Sequence, residues 1–131
     1  MKILITGDRN WDDYETVLVE LQKFSASETV LIHGACRGTD IICAEIAVAL
    51  GFVVKAFPAN WEKFGKGAGA IRNQQMITEN HFPPNDPIDL CLAFHNDIEN
   101  SRGTRDMLSR AEKAGIKTKL ITSLHSNVIL V

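Results

Sequence analysis

Short apolar runs recur along the chain, each ended by glycine, proline or polar residues. They cover residues 2–6, 29–33, 52–57, 88–94 and 117–122. The first, Lys-Ile-Leu-Ile-Thr, is aliphatic and β-branched and stops at Gly7. Runs of this length are too short for helices and are typical of strands buried on both faces of a parallel sheet. The pattern therefore predicts five strands.

Longer stretches between these runs carry apolar residues at helical spacing. The first begins near Asp12 or Asp13, either of which can cap it, and buries one face: Val17, Leu18, Leu21 and Phe24. Thr39 or Asp40 is expected to cap a second helix that Gly51 ends. Two further helices are predicted at residues 70–80 and 103–114.

Three segments fall outside this alternation. Residues 58–69 are polar and rich in glycine, and predict a long connection of the kind that is often functional. Residues 82–87 hold three prolines and are expected to be irregular. The apolar tail, residues 127–131, suits either a last edge strand or a contact between subunits.

Strands that alternate with helices predict the fold class. We expect an α/β, Rossmann-like, doubly wound and mainly parallel sheet of about five strands, with helices on both faces. Sheets of this kind bind ligands beyond the carboxyl ends of their strands. The 131 residues fit one domain of ordinary size.

Composition and charge narrow the function classes. The formal net charge is −2, without the basic excess of proteins that bind nucleic-acid polymers, so no such partner is expected. No apolar stretch is long enough to span a membrane. Three unevenly spaced cysteines, and a strand that starts directly after Met1, favour a cytoplasmic location. The four histidines lack zinc-ligand spacing with the cysteines, so neither a metal site nor another cofactor is expected.

Glycine and arginine occur together at three junctions that follow an apolar run and precede a helix. The junctions read GDR at residues 7–9, HGACRGTD at 33–40 and SRGTRD at 101–106. Glycines let backbone amides approach a ligand, and guanidinium groups grip oxyanions. We expect the phosphate of a small molecule to bind at one edge of the sheet. The groups expected to hold it are the amides of Gly7, Gly34 and Gly103 and the side chains of Arg9, Arg37 and Arg72.

The same junctions carry a family resemblance. The matching pieces read ITGDRNW at residues 5–11, HGACRGTD at 33–40, PANW at 58–61, GAIRNQQM at 69–76 and GTRDM at 103–107. In their order and spacing they resemble the SLOG superfamily, the Rossmann-like group that unites DNA-processing Smf proteins with Lonely-guy nucleotide phosphoribohydrolases. The resemblance is nearest to the small single-domain branch, and implies that residues 1–131 form one such domain.

The resemblance implies a nucleotide or nucleotide-derived ligand of the nucleoside monophosphate or ADP-ribose type. Arg72 and Asp106 then fall on the catalytic positions of the hydrolase branch. The implied ligand-binding positions are Gly7, Arg9, Trp11, Gly34, Arg37, Gly38, Asp40, Trp61, Asn73, Gly103 and Thr104. The hydrolases have Pro-Gly-Gly before the glycine-threonine pair and two glutamates after it. Here Glu-Asn-Ser precedes the pair and one aspartate, Asp106, follows, which argues against catalysis and does not affect the implied binding.

Several residues have a second interpretation. Asp40 and Asp106 stand near helix starts, where a carboxylate can simply cap the helix or compensate its dipole. Trp11 and Trp61 lie in loops and could either stack on a base or cover the core.

Three functions remain open on the sequence. The first is a binding domain for a nucleotide, the second is a phosphoribohydrolase that cleaves the N-glycosidic bond of a nucleoside monophosphate, and the third is a non-catalytic sensor or sponge for a signalling nucleotide. The resemblance and the apolar tail also lead us to expect a homodimer.

Overall fold

The computed structural model describes residues 1–124. The strands are β1 Lys2–Gly7, β2 Val30–His33, β3 Val53–Ala56, β4 Leu90–Phe94 and β5 Thr118–Ile121. The α-helices are α1 Tyr14–Leu21, α2 Thr39–Leu50, α3 Trp61–Phe64, α4 Ala68–Thr78 and α5 Arg102–Lys113. Short 3₁₀ helices occupy Ala26–Glu28, Gly65–Gly67 and Ile98–Asn100.

The five strands form one parallel sheet in the order β3-β2-β1-β4-β5. The chain builds outward from β1 to β3, then crosses back to place β4 on the other side of β1. The predicted α/β, doubly wound class is confirmed. The strand order reverses between β1 and β4, which is the place where such sheets leave a crevice for a ligand.

The sheet separates two apolar layers because side chains alternate along each buried strand. Ile3 and Ile5 face the layer that contains α1 and α2. Leu4 faces the opposite layer, where Met76 of α4 and Met107 of α5 contribute. These side chains are almost completely buried. Burial on both faces explains why the strands are apolar throughout.

Most predicted helix ends agree with the structure. Asp13 caps α1 by accepting a hydrogen bond from the Thr16 N–H at 3.0 Å. Gly51 ends α2 in the left-handed conformation, with φ at +89°. The start of α2 differs from the prediction, since Gly38 is the residue before it and the Asp40 side chain bonds back into the preceding loop.

The predicted connection at residues 58–69 is largely helical instead. Asn60 caps α3 by accepting from the Lys63 N–H at 3.0 Å, and the Gly65–Gly67 3₁₀ turn joins α3 to α4. Four helical residues carry no sequence period, so the pattern could not reveal α3. Residues 82–87 are irregular as expected, apart from one antiparallel bridge between Phe82 and Asp86.

None of the helices formed by residues 1–124 has the length and apolarity that crossing a bilayer requires. The tail at residues 127–131, for which a strand or a subunit contact was predicted, lies outside the described residues.

Candidate functional site

A cleft of about 630 Å³ lies at the carboxyl ends of β1, β2 and β4. This volume is in the range of small-molecule sites. Arg37, Arg72 and Gly103, which come from three separate junctions, all line it. The other predicted site residues that line it are Gly7, Arg9, Asp40, Trp61, Asn73, Thr104 and Asp106. The convergence predicted for the three junctions is therefore present.

The amino terminus of α5 forms one wall of the cleft. Ser101 caps the helix, its hydroxyl accepting from the Thr104 N–H at 3.1 Å. Thr104 is only 3% exposed, yet its own hydroxyl has no hydrogen-bond partner among residues 1–124. A side chain added at Gly103 would meet no atom within 4 Å. This wall combines free donors, the positive end of a helix dipole and open space.

The loop between β2 and α2 forms a second wall of the cleft, and hydrogen bonds from its own backbone to Asp40 hold it together. Asp40 Oδ2 accepts from the Gly34 N–H at 2.9 Å and from the Cys36 N–H at 3.3 Å. Burial raises the pKa of Asp40 to about 6, and the two N–H groups and the Arg72 charge only partly oppose this rise. The Gly34 amide is committed to Asp40, so it cannot serve the ligand as the sequence led us to expect.

Arg72, on α4, braces the same loop. Its Nε donates to Asn73 Oδ1 at 3.1 Å, Nη1 donates to the Gly34 carbonyl, and Nη2 donates to Cys36 Sγ at 3.5 Å. Because all three nitrogens bond to the protein, two N–H groups of the five remain for a ligand. Its first role in the fold is to hold α4 against the β2–α2 loop.

Asn73 connects this brace to Asp106 on α5. Its Nδ2 donates to Asp106 Oδ2 at 3.0 Å, and Arg110 Nε donates to the same oxygen at 2.8 Å. Burial alone would raise the pKa of Asp106, but the hydrogen bonds from Arg110 and Asn73 and the charges of Arg110 and Lys113 lower it. Asp106 is therefore an ionised carboxylate in the wall of the cleft.

Four cations border the cleft without a hydrogen-bond or ion-pair partner in the described part of the chain. They are Arg9, Arg37, Lys66 and Arg102. With Arg72, they outnumber the three carboxylates of the lining, which are Asp8, Asp40 and Asp106. The cleft is thus positively charged in a chain whose net charge is −2, a distribution that favours anions.

Three predicted site residues do not line the cleft. Trp11 is 5% exposed, packs edge-to-face on Phe94 at 5.6 Å and donates its indole N–H to the Asp13 carbonyl. The expectation that Trp11 lies beside the pocket is not met, because its ring is packed in the core. Gly34 lies behind Arg72, whose guanidinium a Cβ would overlap. Gly38 has φ at +74° and lies against the Arg9 carbonyl, so it allows two loops to touch.

Trp61 does line the cleft, and half of its side chain is exposed. Lys66 and His95 also line it, and the sequence argument missed both. Lys66 lies in the segment 58–69, which the sequence predicted only as a connection, so Lys66 itself was not assigned to the site. His95 follows directly on β4, and its Nδ1 accepts from the Asp97 N–H at 2.9 Å. A polar residue just past a strand end was the signal that could have found it.

Comparisons with known proteins agree with this architecture. A family model described as "YAcAr: YspA, cpYpsA-related SLOG family" matches residues 1–64. The chain is also similar to the Gene 61 protein of Mycobacterium phage D29, with 37% identity over 123 residues, which covers 88% of this chain and 91% of that protein. No solved structure gives a significant match.

Proposed function

Since the chain belongs to the YspA and cpYpsA-related SLOG family, we propose that its cleft binds a nucleotide or nucleotide-derived small molecule. The ligand is of the nucleoside monophosphate or ADP-ribose type, and its phosphate lies at the amino terminus of α5. The observation that carries the proposal is the state of Thr104. This residue is 3% exposed and lines the cleft, and its hydroxyl has no hydrogen-bond partner among residues 1–124.

A phosphate suits this end of α5 for three reasons. The first N–H groups of a helix lack partners within the helix, and its dipole favours negative charge there. Arg102 adds a guanidinium that is free of protein partners in the described chain. Gly103 leaves its side-chain volume empty, although glycine costs a helix roughly 0.5–1 kcal/mol relative to alanine. A close phosphate accounts for a glycine that nothing in the fold requires.

The remainder of the ligand would extend toward the other walls of the cleft. Trp61 offers an indole face for a purine, at a gain of about 1 kcal/mol. Arg9, Arg37 and Lys66 supply charge for a second phosphate or for a longer ligand.

Isothermal calorimetry against nucleoside monophosphates, ADP and ADP-ribose tests this proposal. We expect saturable binding of at least one of them, with a dissociation constant in the micromolar range or tighter. Arg102→Gln should weaken that binding about tenfold. Arg105→Gln is the matched control, because Arg105 lies on the same helix outside the cleft and donates to the Glu99 carbonyl. No binding across the set would reject the proposal.

Asp106 supports a second candidate, hydrolysis of the N-glycosidic bond of a nucleoside monophosphate. Its Oδ2 is held by Asn73 and Arg110, while Oδ1 has no partner among residues 1–124. An ionised carboxylate fixed one helical turn from the phosphate site could orient water or stabilise an oxocarbenium-like sugar. Arg72, which lines the cleft, would support the same chemistry by holding Asn73 in place.

Chromatography of the protein with each nucleoside monophosphate separates the alternatives. An enzyme releases free base over time, and Asp106→Asn reduces the release at least a hundredfold. Base release that Asp106→Asn leaves unchanged would remove Asp106 from the mechanism. Intact ligand recovered from the denatured complex indicates a sensor or sponge instead.

The homodimer, the cytoplasmic location and the single domain over residues 1–131 remain predictions. Light scattering of the full chain tests the first of them.

A further inference from the structure

We infer that Asp40 recognises the sugar of the ligand, its free carboxylate oxygen accepting hydrogen bonds from the ribose hydroxyls, so that the site prefers ribonucleotides to deoxyribonucleotides. This inference rests on the proposed function and adds a selectivity to it. Three features of the structure carry it: the state of the two carboxylate oxygens, the charges that face them, and the place of Asp40 in the sheet.

The two oxygens of Asp40 have different surroundings. Oδ2 accepts from the N–H groups of Gly34 and Cys36, which fixes the orientation of the carboxylate. Oδ1 has no partner in residues 1–124. Within that part of the chain, no side-chain nitrogen or oxygen that is sealed from solvent lacks a partner. Oδ1 is therefore open to solvent, and the solvent space that Asp40 lines is the cleft.

No cation of the described chain neutralises this carboxylate by direct contact. Arg72 is the charge that faces it, but the guanidinium donates to Asn73, Gly34 and Cys36, and forms no ion pair with Asp40. The residue is 5% exposed, and burying a carboxylate with an unused acceptor is costly. A ligand that supplies neutral donors to Oδ1 removes part of that cost, whereas a phosphate would be repelled.

A nucleotide has two kinds of neutral donor, the sugar hydroxyls and the amino or imino groups of the base. The sheet order favours the hydroxyls. Asp40 follows β2 and Thr104 follows β4, with β1 between them, so the two walls lie about two strand spacings, or roughly 10 Å, apart. A phosphate hydrogen-bonded at one wall places its own ribose across such a gap, while the base extends beyond it. A carboxylate at the end of a strand that accepts from ribose hydroxyls is also a known solution in dinucleotide-binding sheets.

The test measures binding of the common nucleoside 5′-monophosphates and of their 2′-deoxy and 3′-deoxy counterparts by calorimetry. The wild-type protein should bind the best ribonucleotide about tenfold or more tightly than at least one of the two deoxy forms. Asp40→Asn keeps an oxygen for the Gly34 and Cys36 amides but loses the charge, so the preference should shrink to about twofold or less. Glu45→Gln is the matched control, since it removes one carboxylate from the exposed side of α2 and should preserve the preference.

Thermal unfolding of the same variants at pH 7 separates ligand recognition from a purely structural role. We expect Asp40→Asn to remain folded, with a melting temperature no lower than that of the wild type, and still to bind the deoxynucleotide. Equal affinities of the wild type for ribo and both deoxy forms would overturn the inference and leave the proposed function standing. A preference that survives Asp40→Asn would overturn it as well, and no binding of any nucleotide would overturn both.

Discussion

The two walls of the cleft use the same residue types in opposite ways. At the β2–α2 loop, the Asp40 carboxylate accepts from the Gly34 amide, Arg72 donates to the Gly34 carbonyl, and the Arg72 side chain fills the space beside Gly34. At the start of α5, Gly103 borders open space. Within residues 1–124 the Thr104 hydroxyl has no hydrogen-bond partner, and the Arg102 guanidinium has no hydrogen-bond or ion-pair partner. The wall at the β2–α2 loop, which we call the frame, holds the fold together through hydrogen bonds within the protein. The wall at the start of α5 has groups that remain available to a ligand. Glycine and arginine in a junction thus identify the site without identifying its contacts.

Gly38→Ala should produce the largest effect, because it damages the frame. Gly38 has a positive φ, and a Cβ there would overlap the carbonyl of Arg9. Strain of this kind together with a backbone overlap should lower the free energy of unfolding by about 4 kcal/mol or more. Urea denaturation followed by circular dichroism measures it. A stability within about 1 kcal/mol of the wild type would mean that the loops do not meet as described.

Arg72→Met should come next. The substitution keeps an aliphatic side chain between α4 and the β2–α2 loop but leaves the Gly34 carbonyl and Asn73 Oδ1 without their donor. Two buried acceptors without partners predict a loss of about 3 kcal/mol. Arg102→Met is the control from the other wall and should change stability by less than about 0.5 kcal/mol. If the two variants unfold alike in denaturant, the division into frame and ligand-binding wall is wrong.

Asp40→Asn should stabilise the protein at neutral pH. Burial holds the pKa of Asp40 at about 6 in the folded state, above the value of 3.8 expected without burial. The folded state therefore keeps the proton longer than the unfolded state, and the stability contributed by Asp40 falls as pH rises from about 4 to 6. Asparagine cannot ionise, so the variant should gain on the order of 2 kcal/mol over the wild type above pH 7 and much less near pH 4.

The measurement for Asp40→Asn is the difference in unfolding free energy between the two proteins at several pH values. The pKa of His33 is lowered by burial and by the Arg72 charge, and His33 is present in both proteins, so its own titration largely cancels in that difference. The attraction between Arg72 and the Asp40 charge is lost in the variant and is part of the measured effect. A difference that does not change between pH 4 and 7 would show that burial does not control the ionisation of Asp40.

Gly103→Ala should have the smallest effect on stability, with the opposite sign to Gly38→Ala. Alanine adds a methyl group to open space within the first turn of α5, so the protein should gain about 0.5–1 kcal/mol. The same methyl group would stand where the phosphate is proposed, and nucleotide affinity should fall. Urea denaturation measures the change in the free energy of unfolding, and calorimetry on the same preparation measures the change in nucleotide affinity. A more stable variant with unchanged affinity would remove Gly103 from the phosphate site.

The framework of the fold could be predicted because it depends on local patterns. Aliphatic runs ended by glycine, proline or polar residues predicted the strands, and the position of Gly51 predicted the end of α2. The convergence of the three junctions followed from parallel topology alone. By contrast, α3 is one turn that Asn60 caps, and it has no period that a pattern could reveal.

The sequence could not predict which site residues bond within the protein and which remain available to a ligand. That distinction depends on contacts between residues distant in sequence. Arg72 reaches Gly34 across 38 positions, and that contact determines that both belong to the frame. Trp11 meets Phe94 in the core, which removes its ring from the cleft. Gly34 and Gly103 look equivalent in the sequence, and only the atoms around each one distinguish them.

The most direct test of the central claim is a calorimetric titration of the wild type and of Thr104→Val with the same nucleotide. Valine has nearly the same shape as threonine and lacks the hydroxyl that borders the cleft, and its effect on folding should be small because that hydroxyl has no partner within the described residues. We expect saturable binding to the wild type and about a tenfold loss of affinity in the variant, with the free energy of unfolding little changed. Equal affinity of the two proteins for the nucleotide would contradict it.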